Sequence, residues 1–188
     1  MDAYYKKTIE FAYHKNTYKF DVANTIFSTF DIDLGTQLLL RSVKLEENKT
    51  LLDLGCGYGA LGIILSTMYK TSKTTMVDKD LLSIKYAQAN VAQNKLENIE
   101  LIGSVGLETV PMFEYDYIFS NIPAKIGDQA IEEEFILKPL TYLRKDGNYY
   151  FVIMSALNRL IPMLGTKHNL KLTQIVKKNR YVVYKLTH

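Results

Sequence analysis

The chain has 188 residues, a length that suits a single domain with a full hydrophobic core. Hydrophobic residues make up 47% of it and charged residues 23%, so the composition is that of a globular protein rather than of a disordered chain. The formal net charge of +3 is mildly basic and falls short of the strong positive charge typical of a dedicated nucleic-acid-binding domain.

The sequence carries no signal for a membrane or for secretion. No apolar run approaches the ~18 residues that span a bilayer, and the amino terminus lacks the apolar segment of a signal peptide. Cys56 is the only cysteine and cannot form an internal disulfide, which fits a reducing compartment. We therefore expect a cytoplasmic protein with no membrane partner and no metal site.

The first 30 residues are predicted to form an N-terminal extension of the main domain, which spans residues 31–188. Residues 18–22 alternate weakly between polar and apolar side chains and are a candidate strand. A helix is predicted over residues 34–43, because Asp31 or Asp33 stands where an acidic side chain caps the first turn.

A glycine-rich turn follows the first predicted strand of the sheet. An apolar strand over residues 50–54 leads through Gly55, Gly57 and Gly59 into an apolar helix over residues 60–69. Glycine tolerates positive φ and has no Cβ, so a ligand can approach the backbone of such a turn. The free N–H groups at the start of the helix favour a carboxylate or a phosphate. The pattern therefore predicts a site for a nucleotide-type cofactor.

Two cofactors fit this turn. The spacing Gly55-x-Gly57-x-x-Ala60 satisfies the fingerprint of dinucleotide-binding proteins, so NAD is one candidate. Asp53, however, stands at the mouth of the first strand, where its carboxylate would repel a pyrophosphate and attract a cation. S-adenosylmethionine carries an amino group and a sulfonium, and it is the cofactor that the sequence favours.

The next strand also indicates a ligand that contains a ribose. Residues 74–77 are a predicted strand that ends at Asp78, about 20 positions beyond the glycines, where an acidic side chain can accept both ribose hydroxyls. A helix is predicted over residues 81–93, and a third strand over residues 99–102 leads to Ser104.

A second motif follows the fourth predicted strand, residues 115–120, and reads Ser120-Asn121-Ile122-Pro123-Ala124. An exocyclic amine of a base, or an amide, is a poor nucleophile because its lone pair is delocalised. If the side-chain oxygen of Asn121 and the carbonyl of Ile122 accept its two hydrogens, the lone pair turns toward the methyl group, and this positioning supplies most of the rate gain. Pro123 stiffens the loop. The motif therefore indicates methyl transfer to nitrogen.

The remaining elements complete the predicted fold. They are a helix over residues 129–143, a turn at Asp146-Gly147, a strand over 148–154, a helix over 156–164 interrupted by Pro162, and strands over 170–177 and 181–186. Strands that alternate with helices form a parallel sheet covered on both faces, whereas the short last connection requires an antiparallel hairpin. The predicted fold class is α/β, with a doubly wound, mostly parallel seven-stranded sheet that ends in this hairpin. In such sheets, ligands bind beyond the carboxyl ends of the strands.

Three segments carry a family resemblance. They are Phe27-Ser28 with Asp33-x-Gly35-Thr36, then Leu52-Asp53-Leu54-Gly55-Cys56-Gly57-Tyr58-Gly59, and then Asn121-Ile122-Pro123-Ala124-Lys125-Ile126-Gly127. The second segment is similar to the cofactor motif of the class I methyltransferases. Together the three resemble the small-domain methyltransferases related to the ribosomal small-subunit guanine-N2 methyltransferases. The resemblance implies a Rossmann-like methyltransferase fold with S-adenosylmethionine as the cofactor.

The resemblance also implies roles for individual residues. Those implied to bind the cofactor are Asp53, Gly55, Cys56, Gly57, Gly59, Asp78, Lys79, Ser104, Val105 and Asn121. Those implied in catalysis are Asn121, Ile122 and Pro123. Those implied to bind the substrate are Phe27, Phe30, Ala124 and Lys125, of which the two phenylalanines could stack on a flat base. The sequence departs from the family pattern at Ile122, which replaces a proline, at Ala124, which replaces a larger side chain, and at Val105, where an acidic residue is common.

The resulting hypothesis is an S-adenosylmethionine-dependent N-methyltransferase that acts on ribosomal RNA, at guanine N2. Basic residues near both ends of the chain could contact RNA phosphates. They are Lys6, Lys7, Lys15, Lys19, Lys167, Lys171, Lys177, Lys178 and Arg180. Two alternatives remain open. One is methylation of a small molecule or a protein amide, which the modest net charge favours; the other is a cofactor-binding relative without catalytic activity.

Overall fold

In the computed structural model, which describes residues 2–25 and 31–188, strands and helices alternate along most of the chain. The first half contains, in order, β1 (Tyr5–Tyr13), β2 (Asn16–Ala23), α1 (Leu34–Ser42), β3 (Thr50–Leu54), α2 (Ala60–Tyr69), β4 (Lys73–Asp78), α3 (Leu81–Gln93) and β5 (Ile99–Gly103). The second half contains β6 (Tyr115–Asn121), α4 (Asp128–Ala130), a π-helical segment (Ile131–Leu137), α5 (Lys138–Leu140), β7 (Leu143–Met154), a 3-10 turn (Ser155–Leu157), α6 (Leu160–Lys167), β8 (Lys171–Lys178) and β9 (Tyr181–Thr187).

Seven of these strands form one sheet in the order β5-β4-β3-β6-β7-β9-β8. The first five in that order run parallel to one another, while β9 is antiparallel to both β7 and β8. This confirms the predicted fold class, including the C-terminal hairpin. In the sheet, β9 lies between β7 and β8, so the start of β9 meets the end of β7, and Tyr181 pairs with Met154.

Apolar side chains cover both faces of the sheet. Successive residues of a strand point to opposite faces, and on β3 this sends Leu51 into one core cluster and Leu52 into the other. Asp53 shares its face with Leu51, below α2. Within the described residues, no helix is both long enough and apolar enough to cross a membrane.

The strands β1 and β2 form a separate antiparallel hairpin that packs against the main body. The sequence predicted only part of β2 and none of β1, because Ile9 is the one fully buried residue of β1. Phe20 and Val22 of β2 reach into the core, and Asn90 of α3 exchanges hydrogen bonds with the backbone of Asp21. The division of the chain near residue 30 stays a prediction.

Two further boundaries differ from the sequence prediction. The helix predicted to run to residue 143 ends at Leu140, and the predicted turn at Asp146-Gly147 lies inside β7. Along β7, Leu143 pairs with Tyr115 whereas Asn148 pairs with Tyr117, so the residues between them bulge out of the ladder. The turn-forming pair therefore marks a bulge rather than the start of a strand.

Pro162 does not interrupt a helix. It lies in the first turn of α6, which begins at Leu160. A proline is tolerated there because the first N–H groups of a helix have no intrahelical partner.

The chain order places a topological switch between β3 and β6. From β3 the chain continues to β4 and β5 on one side, and it then returns to form β6 on the other side. The loops that leave the carboxyl ends of β3 and β6 therefore run in opposite directions and leave a crevice between them, where ligands bind in open α/β sheets.

Candidate active site

An open cleft lies at this switch point. Its walls come from the start of α1, from the turn between β3 and α2, and from the end of β6. The residues that line it are Ile32, Asp33, Thr36, Asp53, Gly55, Cys56, Gly57, Tyr58, Ala60, Leu61 and Asn121. The structure thus brings together five of the residues singled out from the sequence: Asp53, Gly55, Cys56, Gly57 and Asn121.

The three glycines of the turn differ in what surrounds them. All have positive φ, at +78° for Gly55, +56° for Gly57 and +92° for Gly59. A Cβ on Gly55 or Gly57 would meet nothing within 4 Å, whereas a Cβ on Gly59 would lie 3.0 Å from Met76 Cε. Gly55 and Gly57 therefore present bare backbone to open space, while Gly59 lets α2 pack against β4.

The backbone of the turn is held from below. The N–H groups of Gly55 and Cys56 both donate to the carbonyl of Val77, at 2.8 and 2.9 Å. Burial raises the pKa of the Cys56 thiol well above its usual value, and the carboxylates of Asp53 and Asp78 raise it further. The thiol thus stays protonated, which agrees with a packing role for Cys56.

Asp53 is almost completely buried, with 1% of its surface exposed, although it lines the cleft. Its Oδ2 accepts a hydrogen bond of 2.9 Å from the N–H of Gly62. Burial raises its pKa to about 7; the Gly62 hydrogen bond opposes this rise and nearby Asp78 adds to it. A positively charged ligand in the cleft would offset the cost of ionising this buried carboxyl group.

Asp78 ties the glycine turn to the next strand. Its Oδ2 accepts from the N–H of Gly57 at 2.8 Å, and its Oδ1 accepts from the N–H of Asp80 at 2.9 Å. Because each carboxylate oxygen has two lone pairs, both can accept a further hydrogen bond from a ribose hydroxyl. Lys79 next to it is exposed.

The surface near the carboxyl end of β5 is more apolar than the sequence suggested. Ser104 is buried, and its Oγ accepts from the N–H of Thr109 at 3.1 Å. Val105 is 58% exposed and Leu81 is 71% exposed. The side chain of Leu81 lies over Gly103. Leu81 was not predicted from the sequence, where the available signal was an apolar residue at the exposed first position of a helix.

Asn121 ends β6 and faces the start of α1. Its Nδ2 donates to Oδ2 of Asp33 at 2.8 Å and to Oγ1 of Thr36 at 3.1 Å. Ile122 turns away into the core, with 2% of its surface exposed, and its N–H donates to the carbonyl of Val152. The side chain of Ile122 thus cannot contact a ligand in the cleft.

Pro123, predicted to act in catalysis, and the predicted substrate residues lie away from the cleft lining or beyond the described ranges. Pro123 and Lys125 are exposed and Ala124 is half-buried in the loop after β6. Phe27 and Phe30 lie outside the described residues.

Asp33 was predicted only as a helix cap and as part of a family motif, yet it lies at the centre of the site. Its Oδ2 accepts from the N–H groups of Gly35 and Thr36, and its Oδ1 accepts from the hydroxyl of Tyr181 at 3.0 Å. A Cβ on Gly35 would stand 2.8 Å from both Asp33 Oδ2 and the Tyr181 ring, so only glycine fits there.

Within the described residues, no group of three or more His, Cys, Asp or Glu side chains is placed to hold a metal ion.

A family model and several known proteins are similar to this chain. The family model described as the methyltransferase small domain matches residues 17–185. Ribosomal RNA small subunit methyltransferase C of Pseudomonas putida (strain GB-1) is 31% identical over 167 residues, which cover 87% of this chain and 49% of that protein. The uncharacterized protein YbxB of Bacillus subtilis (strain 168) is 25% identical over 188 residues, which cover 96% of this chain and 90% of that protein.

A solved structure shares the fold. It is that of the T. thermophilus 16S rRNA N2 G1207 methyltransferase (RsmC) in complex with AdoMet and guanosine, with a TM-score of 0.85 at 23% identity. The match covers 98% of this chain and 51% of that chain. The chain therefore spans about half the length of the ribosomal RNA methyltransferases that it matches, and nearly the whole length of YbxB.

Proposed function

Because the chain belongs to the methyltransferase small domain family, we propose that it is an S-adenosylmethionine-dependent methyltransferase that modifies an exocyclic amine of a base in ribosomal RNA, guanine N2. The observation that carries the proposal is the position of Asn121, whose amide borders the same cleft as the open backbone of Gly55 and Gly57. A methyl acceptor and a nucleoside cofactor could therefore meet in that cleft.

The residues of the cleft fit this cofactor. S-adenosylmethionine would supply an electrophilic methyl group carried on a sulfonium. The bare backbone at Gly55 and Gly57 leaves room for a ligand, and the buried carboxylate of Asp53 suits a cation better than a pyrophosphate. Asp78 would bind the ribose, and the exposed apolar side chains of Leu81 and Val105 would flank the adenine.

The residues at the end of β6 would hold the amine. The side-chain oxygen of Asn121 would accept one amine hydrogen and the carbonyl of Ile122 the other, which turns the nitrogen lone pair toward the methyl group. Positioning of this kind lowers a barrier by about 7–11 kcal/mol, and the proton that the nitrogen gives up on methylation would pass to water. Pro123 would limit the movement of the loop.

The choice of RNA draws support from the relatives. The P. putida protein is named a ribosomal RNA methyltransferase, and the T. thermophilus structure contains AdoMet and guanosine. The chain covers only about half of each, so their activity remains a proposal here.

The proposal is tested by methyl transfer from labelled S-adenosylmethionine to small ribosomal subunits that lack base methylation. We expect label in the RNA, recovered as N2-methylguanosine after enzymatic digestion. Free nucleosides and ribosomal proteins are offered in parallel reactions. Label that appears only in a small molecule or in protein would contradict the RNA proposal, and cofactor binding without any acceptor would indicate a relative without catalytic activity.

Gly57→Ala is expected to weaken binding of S-adenosylmethionine at least about tenfold, which corresponds to about 1.4 kcal/mol. The new Cβ would project into the cleft from a backbone with a φ of +56°. Gly127→Ala is the control for backbone strain away from the cleft, because Gly127 has a φ of +90° and a ψ of 150°, its Cβ would also meet nothing within 4 Å, and it does not line the cleft. Calorimetric titration of both variants checks this, and equal losses of affinity would show that backbone strain alone is responsible.

Basic side chains at the carboxyl edge of the sheet are expected to contact RNA. Arg159 follows β7 and Arg180 precedes β9, and each is exposed and forms no ion pair with any described residue. The double variant R159A/R180A should bind RNA more weakly, and its slope of log affinity against log salt should be shallower by about 1.4, since two phosphate contacts are lost.

The control for this prediction is K44A/K145A. Lys44 and Lys145 are exposed cations near the amino ends of β3 and β7, on the opposite edge of the sheet. Removing them subtracts the same net charge, so an equal effect of the two double variants would contradict a localised RNA-binding edge.

A further inference from the structure

We propose that Asp33 is a positioning residue, which holds the amide of Asn121 with its nitrogen turned inward and its oxygen left for the amine of the substrate. The inference deepens the proposed function and rests on it, because the orientation matters for catalysis only if the Asn121 oxygen accepts that amine. The orientation itself can be measured in the protein alone.

The two ends of an asparagine amide have opposite hydrogen-bonding character. The nitrogen only donates and the oxygen only accepts, so the end that faces a substrate decides what the residue can bind. A substrate amine offers hydrogens and therefore needs the oxygen. A rotation of 180° about the last side-chain bond of Asn121 would present the wrong end without changing the shape of the cleft.

Both donors of the Asn121 nitrogen are already used. One is directed at Asp33 Oδ2 and the other at Thr36 Oγ1, at 2.8 and 3.1 Å. An ionised carboxylate can only accept hydrogen bonds. If the amide turned over, its oxygen would lie against Asp33 Oδ2, and two acceptors would face each other at hydrogen-bond distance. The contact with Asp33 thus allows one orientation and disfavours the other.

Asp33 is itself fixed from two sides. Its Oδ2 also accepts from the N–H groups of Gly35 and Thr36, which caps α1, and its Oδ1 accepts from the hydroxyl of Tyr181. The pKa of the Tyr181 hydroxyl is raised, first by burial and then by the charge of Asp33, so the hydroxyl remains a donor at neutral pH. The carboxylate cannot turn away without breaking a hydrogen bond on each side.

The three partners come from distant parts of the chain. Asp33 precedes α1, Asn121 ends β6 and Tyr181 begins β9, the strand inserted between β7 and β8. The C-terminal hairpin therefore reaches the site through one hydroxyl. Gly35 is needed for the same arrangement, because any side chain there would displace Asp33 or the Tyr181 ring.

Two substitutions of Asp33 separate positioning from helix capping. Serine caps a helix about as well as aspartate does. Its oxygen, however, is one bond closer to the backbone and does not reach Asn121. Asparagine keeps an acceptor oxygen at the position of Oδ2 and places its nitrogen against Tyr181, whose hydroxyl can accept instead. We expect Asp33→Ser to lower kcat by roughly 10- to 100-fold and Asp33→Asn to recover most of that loss.

The experiment combines NMR of the protein alone with kinetics. The side-chain NH₂ signals of Asn121 are identified by their disappearance in Asn121→Ala, and their exchange with solvent is measured in wild type, Asp33→Ser and Asp33→Asn. We expect slow exchange in wild type and Asp33→Asn, and fast exchange in Asp33→Ser. Asp33→Ser should remain folded, with a thermal midpoint about 2–8 °C below that of wild type, because the helix cap is kept while the hydrogen bonds to Asn121 and Tyr181 are lost.

Several outcomes would overturn the inference. They are slow exchange of the Asn121 NH₂ group in Asp33→Ser, wild-type kcat in that variant, or an Asp33→Asn variant as impaired as Asp33→Ser, which would assign the effect to the charge of Asp33. Failure of the proposed function looks different. In that case wild type and both variants would methylate no RNA, while the exchange of the NH₂ group would still follow the pattern above.

Discussion

Alanine in place of Asn121 is expected to lower kcat for RNA methylation by about 100-fold or more, because the amine then loses the acceptor that turns its lone pair toward the methyl group. The affinity for S-adenosylmethionine should change by less than about threefold, since the side-chain oxygen that is lost contacts the amine of the substrate rather than the cofactor. Single-turnover methylation with saturating cofactor measures the chemical step directly. Wild-type turnover in Asn121→Ala would remove this residue from the mechanism.

Asn121→Asp is the matched variant, because it keeps the size of the side chain and an acceptor oxygen. It places a carboxylate oxygen where the amide nitrogen lies, 2.8 Å from Asp33 Oδ2. Two carboxyl groups this close cannot both be ionised near neutral pH, so the pair shares one proton. We expect the activity of this variant to fall as the pH rises and to recover in part as the pH falls. Asn121→Ala should show no such dependence.

The parallel core of the fold could be predicted from the sequence because its signals are local. Buried strands such as β3 read as short apolar runs, and the glycines after β3 mark the turn into α2. β1 lacked this signal, since a strand that buries only Ile9 looks like a polar loop. The bulge in β7 was predicted as a turn, because glycine permits both and only the pairing with β6 distinguishes them.

The same contrast holds in the candidate site. Asp53 and Asn121 lie at the carboxyl ends of β3 and β6, and Gly55 and Gly57 follow β3, so the topology alone brings them to one cleft. The hydrogen bond between Tyr181 and Asp33 joins residues 148 positions apart, and no periodicity or spacing in the sequence could indicate it. The position of β9 between β7 and β8 creates that contact, and this position is a property of the assembled sheet.

Asp53 should make the protein less stable and better at binding its cofactor as the pH rises. Burial raises its pKa from 3.8 to about 7, so the folded state resists ionisation that the unfolded chain undergoes freely. A carboxyl group with a raised pKa lowers stability as the pH increases from about 4 to 7, and the difference of about 3 between the two pKa values corresponds to roughly 4 kcal/mol above pH 7. Asp53→Asn removes this loss and keeps an acceptor for the Gly62 N–H. Urea unfolding of the variant at pH 8 should therefore give a higher free energy of unfolding than wild type, with little difference at pH 4.

The ionisation of Asp53 that lowers stability should raise the affinity for the cofactor. A cationic ligand favours the charged form of Asp53, so the affinity for S-adenosylmethionine should rise with pH and level off above about 7, with a slope of at most tenfold per pH unit. Asp53→Asn should bind weakly and without this slope, although it is the more stable protein. Calorimetric titrations at pH 6 and pH 8 test the argument, and an unchanged slope in the variant would assign it to another group. A gain in stability coupled to a loss of affinity is the result expected when a buried charge is retained for the ligand that neutralises it.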